Sequence, residues 1–185
     1  MIENRVIQLS SDMKHGMRAI TIAIAVLVVL FLVMPEGVPA QIVAANARKI
    51  APPFFLPDAT SAPIRLSDYK GSVVLLNFWA TWCHGCKTEI PWYVEFQNKY
   101  GKRGLVIIGA SMDDEGWKVV APFVKAKKLN YPVVIANDGL AKQYRLGAMP
   151  LSVLIDRDGR VADSHSGVVD WRTWEAAIQK LLDEK

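Results

Sequence analysis

The feature that most constrains this chain is a junction. Ser72 to Trp79 (SVVLLNFW) is an apolar, β-branched run preceded by Gly71, and Trp82-Cys83-His84-Gly85-Cys86 follows after Ala80 and Thr81. Such a run reads as a central strand buried on both faces. Cys83 to about Tyr100 reads as a helix, with a kink expected at Pro91. Cys83 therefore opens a helix, where unpaired N–H groups and the macrodipole favour an anion. That placement lowers a thiol pKa and raises the fraction of reactive thiolate. Cys86 lies one turn further in, close enough to form a tight disulfide. Redox chemistry is the leading reading, with a structural or metal-only role as the other.

The rest of the chain supplies a domain around that junction. Phe54 to Leu56 and Ile64 to Leu66 are short strand candidates separated by the turn-rich DATSAP stretch. Leu105 to Ala110 (LVIIGA) and Tyr131 to Ala136 (YPVVIA) read as further strands, with an amphipathic helix over Trp117 to Lys127 between them. Leu140 to Arg145 is a short helix. Leu151 to Ile155 and Arg160 to Ser164 form a hairpin around Asp156-Arg157-Asp158-Gly159, and Trp171 to Leu182 closes the chain as an amphipathic helix. The order is hairpin, β, α, β, α, β, α, hairpin, α. It begins as a parallel βαβ unit and ends antiparallel, so the expected class is α/β with a mixed sheet and helices on both faces.

Composition narrows the chemistry. The chain has 185 residues, room for one ordinary domain and an appendage. Net charge is +4 and there is no Lys/Arg-rich run of the kind that tracks phosphates, so no nucleic-acid partner is expected. The only two cysteines cannot build a multi-bridge scaffold or close a four-thiolate zinc site, and His15, His84 and His165 are scattered. No metal is assigned. Lys87, not His, follows Cys86, which excludes a c-type haem attachment sequence.

The hydrophobic excess sits near the N-terminus. Residues 1–18 are polar, and residues 19–35 hold an uninterrupted apolar run (AITIAIAVLVVLFLVM) closed by Pro35. Arg5, Lys14 and Arg18 precede it, and few positive charges follow until Arg48 and Lys49. The positive-inside rule puts residues 1–18 in the cytoplasm and the domain outside. The run is a transmembrane anchor or a signal segment; a cleaved signal would release the same domain into the same compartment. Residues 36–51 read as a linker, and residues 52–185 as the folded domain.

Three stretches, LSDYKGSVVLLNFWATWCHGCKTEIP, GLVIIGASMDD and AKQYRLGAMPLSVLIDRDGRV, resemble the thioredoxin superfamily, and more closely its membrane-anchored TlpA-like branch, which includes cytochrome c maturation thioredoxins. The resemblance covers about residues 52 to 182. It implies a three-layer α/β/α arrangement on a five-stranded core, and disulfide exchange through a mixed-disulfide intermediate. No cofactor is implied beyond a redox-active Cys83–Cys86 disulfide, with Cys83 as nucleophile and Cys86 as resolving thiol. Pro150 matches the family's cis-proline, which faces the redox pair, so the Met149–Pro150 bond is expected cis; Met149 would offer its backbone to a substrate strand. An ordinary trans proline is the alternative.

Other positions invite chemical readings. Many cytoplasmic thioredoxins carry a buried Asp six residues before the first Cys; here Asn77 holds that place and cannot titrate. Glu89 lies one helical turn after Cys86 on the same face. It is the expected acceptor of the Cys86 proton, the alternative being a solvated surface Glu. His84 and Gly85 replace the usual Gly-Pro dipeptide and are expected to tune the potential, with His84 otherwise a solvent-facing filler. Trp82 is expected to cover the disulfide and form part of the substrate platform, and Trp79 to be core. Met112, Asp113, Asp114 and Trp117 follow a strand end, where the two Asp residues read as loop and helix cap in preference to a partner groove.

The expected activity is that of an extracytoplasmic protein-disulfide oxidoreductase, acting as a reductase on protein thiol/disulfide substrates and re-reduced by a membrane electron donor. Haem-ligating cysteines of apo-cytochrome c are one substrate the resemblance implies. A peroxide-reducing redoxin is an alternative, although Ala80 stands where peroxiredoxins have Thr. A Cu(I)-handling assembly factor is another, with Met149 near two thiolates.

Overall fold

The computed structural model describes residues 42–184. The chain divides into residues 1–38 and residues 39–185, and everything described belongs to the second unit. The segments read as cytoplasmic (1–18) and membrane-spanning (19–35) lie outside the described residues. Among the described residues, no helix is long and apolar enough to cross a membrane.

The strands are β1 (Lys49–Ile50), β2 (Phe55–Pro57), β3 (Pro63–Arg65), β4 (Val73–Trp79), β5 (Leu105–Ser111), β6 (Val133–Ile135), β7 (Leu151–Ile155) and β8 (Arg160–Ser166). The helices are α1 (His84–Tyr100), α2 (Trp117–Lys127), α3 (Asp138–Gln143) and α4 (Trp171–Asp183). Six strands form one sheet in the order β1-β8-β7-β4-β5-β6, and β2 and β3 form a separate hairpin. β4 runs parallel to β5 from Val73↔Leu105 to Trp79↔Ser111 and antiparallel to β7. The sheet is mixed, as the element order implied.

Side-chain alternation along the central strands builds two cores. Leu75, Trp79, Ile107 and Leu154 point to the face covered by α1, α2 and α4. Leu76, Phe78, Ile108 and Val153 point to the other, where α3 and the β2–β3 hairpin pack. All seven residues of β4 are buried, which explains why its sequence is a continuous apolar run interrupted only by Asn77. The helix α1 runs unbroken through Pro91, forgoing only the hydrogen bond that proline cannot donate.

One expectation needs correction. Residues 36–51 read as a linker, yet residues 43–51 are built into the domain. β1 pairs with β8 and makes a sixth strand beyond the implied five, Val43 N–H donates to Ala162 O at 2.8 Å, and Ala51 is buried. Arg48 is 8% exposed and donates to Asp156 Oδ2 at 3.1 Å and to both Glu184 oxygens at 2.6 and 2.8 Å. A two-residue strand has no periodicity to betray it, and a buried Arg is visible only with its distant partners in place. Glu89 is 0% exposed, so it is not the solvated surface residue that was the alternative to its expected role.

Candidate active site

The site forms where β4 ends, at the carboxyl edge of the parallel strands, where α/β sheets place their ligands. A tight turn joins β4 to α1: Cys83 N–H donates to Ala80 O at 3.1 Å. The next strand grips that turn. Met112 N–H donates to Trp79 O at 2.8 Å. The Asp113 carboxylate accepts from Thr81 N–H at 2.9 Å, Thr81 Oγ1 at 2.6 Å and Ser111 Oγ at 2.8 Å. Asp113 lies in the loop after β5, as expected, but is only 3% exposed, and the N-cap of α2 is Gly116. Its partner Thr81 lies 32 positions away, and no local pattern announces the contact.

Cys83 is the N-cap of α1, and its Sγ accepts from the Cys86 backbone N–H at 3.2 Å. The sulfur thus meets a backbone N–H donor at the positive end of the helix dipole, a setting that favours an anion. Cys83 and Cys86 form a disulfide with a Cα–Cα distance of 5.3 Å. Cys83 retains 7% exposure and Cys86 none, which gives the pair an outer and an inner sulfur. The Met149–Pro150 bond at the head of β7 is cis. Pro150 is buried, and its carbonyl accepts from Gly167 N–H at 2.8 Å, tying the loop after β8 to the same place.

Gly85 is a packing requirement. A Cβ there would stand 2.9 Å from Val168 Cγ2 and 3.3 Å from Pro150 Cδ, so the absence of a side chain lets α1 meet the Pro150 loop. His84 is exposed, Trp82 is 64% exposed beside Cys83, and Met149 is half-buried against the cluster that contains both cysteines. Val168 at 43% and Trp171 at 38% add exposed apolar surface on the loop and helix that follow β8. Trp79 is core, as expected.

Beneath the disulfide lies a buried polar group of four side chains. Glu89 Oε1 accepts from Val169 N–H at 2.7 Å, and Glu89 Oε2 has no hydrogen-bond partner among the described residues. Tyr93, one turn further along α1, places its hydroxyl 2.7 Å from Ser152 Oγ, and Asn77 Nδ2 donates to the same oxygen at 3.0 Å. Burial pushes the Glu89 carboxyl up to about 7; the Val169 N–H pulls it partly back, as do the neighbouring Tyr93 hydroxyl and Asn77 amide, whose own short contacts go to Ser152. Burial also raises Tyr93 far out of reach of titration at neutral pH. Tyr93 and Ser152 carry no sequence signature. Only the alternation of β7, which turns Ser152 and Leu154 toward α1, hints at the first contact.

A strand–turn–helix disulfide whose intervening Gly85 packs against a cis-proline, on a sheet of this topology, defines a thioredoxin-fold thiol–disulfide oxidoreductase. The chain belongs to the AhpC/TSA family, which matches residues 47–164. It is 37% identical over 134 residues to the thiol-disulfide oxidoreductase ResA of Bacillus thuringiensis subsp. konkukian, a match covering 72% of this chain and 77% of that protein. It is 33% identical over 132 residues to the thioredoxin-like protein YneN of Bacillus subtilis, covering 71% and 76%. Among solved structures, a thiol:disulfide interchange protein of the thioredoxin family from Chlorobium tepidum superposes with a TM-score of 0.68 at 26% identity, over 75% of this chain and 99% of that one.

Proposed function

We propose that this oxidoreductase is a disulfide reductase working outside the cytoplasm, in which Glu89 takes the proton from Cys86. The observation that carries the reading is a fully buried carboxyl one helical turn below the inner cysteine, with a proton affinity near neutrality. In the reduced protein the Cys83 thiolate attacks one sulfur of a substrate disulfide, forms a mixed disulfide and expels the other sulfur as thiolate. Cys86 then gives its proton to the Glu89 carboxylate and attacks the Cys83 sulfur. The Cys83–Cys86 disulfide forms, and the second substrate sulfur leaves as thiolate. The substrate gains two electrons and the protein loses two. A base with a pKa near the working pH is the efficient one for this transfer.

Substrate binding falls to Met149 and Pro150, with Trp82 as an exposed platform, and His84 and Gly85 set the potential. The substrates are protein disulfides, the cysteines of apo-cytochrome c among them, by resemblance to the cytochrome c maturation branch. The apolar run at residues 19–35, with Arg5, Lys14 and Arg18 before it, supports an anchor that leaves the domain on the periplasmic side. Thiols there are drawn toward oxidation, so a membrane electron donor must restore the dithiol.

The test is the reduction potential of Cys83–Cys86 in the full chain, equilibrated against a dithiothreitol or glutathione series. A reductase requires a value at or below about −250 mV; a value between about −120 and −180 mV marks an oxidant or isomerase and overturns the reading.

A further inference from the structure

Glu89 presents a puzzle of hydrogen-bond accounting. Its Oε2 is buried without a partner, while a hydroxyl that sits four residues on along the same helix is satisfied elsewhere. The contact between Tyr93 Oη and Ser152 Oγ at 2.7 Å admits either oxygen as donor. Asn77 Nδ2, by contrast, can only donate to Ser152 Oγ. Ser152 thus accepts one fixed hydrogen bond and retains a rotatable O–H.

We propose that Tyr93 and Ser152 are positioning residues that set the proton affinity of Glu89 through a hydrogen-bond chain whose direction reverses with the charge of that carboxyl. When Glu89 is ionised, Ser152 O–H donates to Tyr93 Oη, and the Tyr93 hydroxyl is free to donate to Oε2. When Glu89 is protonated, its O–H donates to Tyr93 Oη, and Tyr93 donates to Ser152 Oγ. Each arrangement would give Oε2 the partner it lacks in the structure, and the two differ by the one proton that Glu89 gains or loses. Because Ser152 lies two residues after Pro150 on β7, the chain links the carboxyl on α1 to the strand behind the substrate-facing proline. This deepens the reading of Glu89 given above.

The groups facing Glu89 are few. Its own helix presents Cys86 and Tyr93, β4 presents Asn77, and the loop before α4 presents the Val169 N–H, with Ser152 of β7 held by Tyr93 and Asn77. Tyr131, before β6, is the further titratable neighbour, and burial holds it un-ionised. None of these neighbours carries a charge near neutral pH while the disulfide is intact. After burial and the Val169 N–H, the Tyr93 hydroxyl is the next influence on the carboxylate.

The test follows the Glu89 side-chain carboxyl directly, by carbon-13 NMR titration of the oxidised full chain with labelled glutamate; Glu89→Gln assigns the resonance. Tyr93→Phe keeps the ring and removes the hydroxyl. A hydrogen bond to a charged group outweighs one to a neutral group, so the inflection is expected to rise by about one pH unit. Ser152→Ala is expected to move the inflection in the wild-type background and not in the Tyr93→Phe background, because its influence passes through the Tyr93 hydroxyl. An inflection unmoved or lowered in Tyr93→Phe overturns the proposal, as does a Ser152→Ala shift of equal size in both backgrounds. The exchange rate of Glu89→Gln separates the two ideas. A normal rate sinks the assignment of Glu89 as proton acceptor while leaving the titration result standing.

Discussion

Glu89 shows what burial does to one carboxyl. Its proton affinity is raised from the ordinary value of 4.5 to about 7, so between those values the folded protein holds a proton that the unfolded chain has released. The sign follows: this contribution to stability is full below about pH 4.5 and is lost as pH rises through 7. Urea unfolding of the oxidised protein from pH 4.5 to 8 is expected to show a decline, relative to Glu89→Gln, of up to about 3 kcal/mol. Parallel pH profiles for the two proteins would contradict the assignment. The paired carboxyls behave in the opposite sense. Hydrogen bonds and charge from Arg48 hold Asp156 and Glu184 low, Asp156 with further help from Arg160, and their contribution is lost as pH falls. Gly85 is the other residue whose identity the fold dictates. Gly85→Ala forces a methyl into Val168 and the Pro150 ring. An overpacking cost of about 1–3 kcal/mol is expected in thermal or urea unfolding.

The turn between β4 and α1 is where an element boundary becomes a reactive site. Asp113 holds it from the end of β5 through both polar groups of Thr81. Asp113→Ala leaves Thr81 N–H and two hydroxyls without their acceptor, and a loss of about 2–4 kcal/mol is expected on unfolding. The same change loosens the N-cap geometry of Cys83, so the thiol pKa of the reduced protein, read by alkylation rate against pH, is expected to rise. A wild-type thiol profile in Asp113→Ala would show that the turn holds itself. Most elements were legible in the sequence because their periods are strong. The helix over Trp117 to Lys127 has the limits expected, and so does the strand over Leu151 to Ile155. The cis bond before Pro150 was legible only through family resemblance, since about 5–6% of X–Pro bonds are cis and nothing local selects one. Asp113, Tyr93 and Ser152 were not legible. Each acts through a partner on another strand or helix, and side-chain contacts of that range exist only after folding.

At the scale of the whole domain, Arg48 is a clasp. It joins the segment before β1 to Asp156 at the β7–β8 turn and to Glu184 after α4, close to the two ends of the described chain. Arg48→Ala leaves Glu184 unpaired and Asp156 with Arg160 alone, and a loss of about 3 kcal/mol is expected, measured by urea unfolding. An unchanged midpoint would return residues 43–51 to the status of a linker. The fold therefore begins earlier than its apolar pattern suggested, because the first described residues join it by one buried charge and two edge pairings. The central claim concerns the two sulfurs: Cys83 attacks and Cys86 resolves. The most direct measurement is trapping. The full chain carrying Cys86→Ser, with its single remaining thiol reduced, is mixed with a protein disulfide substrate, and adducts are resolved on a non-reducing gel and mapped by mass spectrometry. The expected result is a lasting mixed disulfide on Cys83, absent from Cys83→Ser and released by dithiothreitol. Stable adducts on Cys86 in Cys83→Ser, with none on Cys83, would reverse the roles and contradict the account.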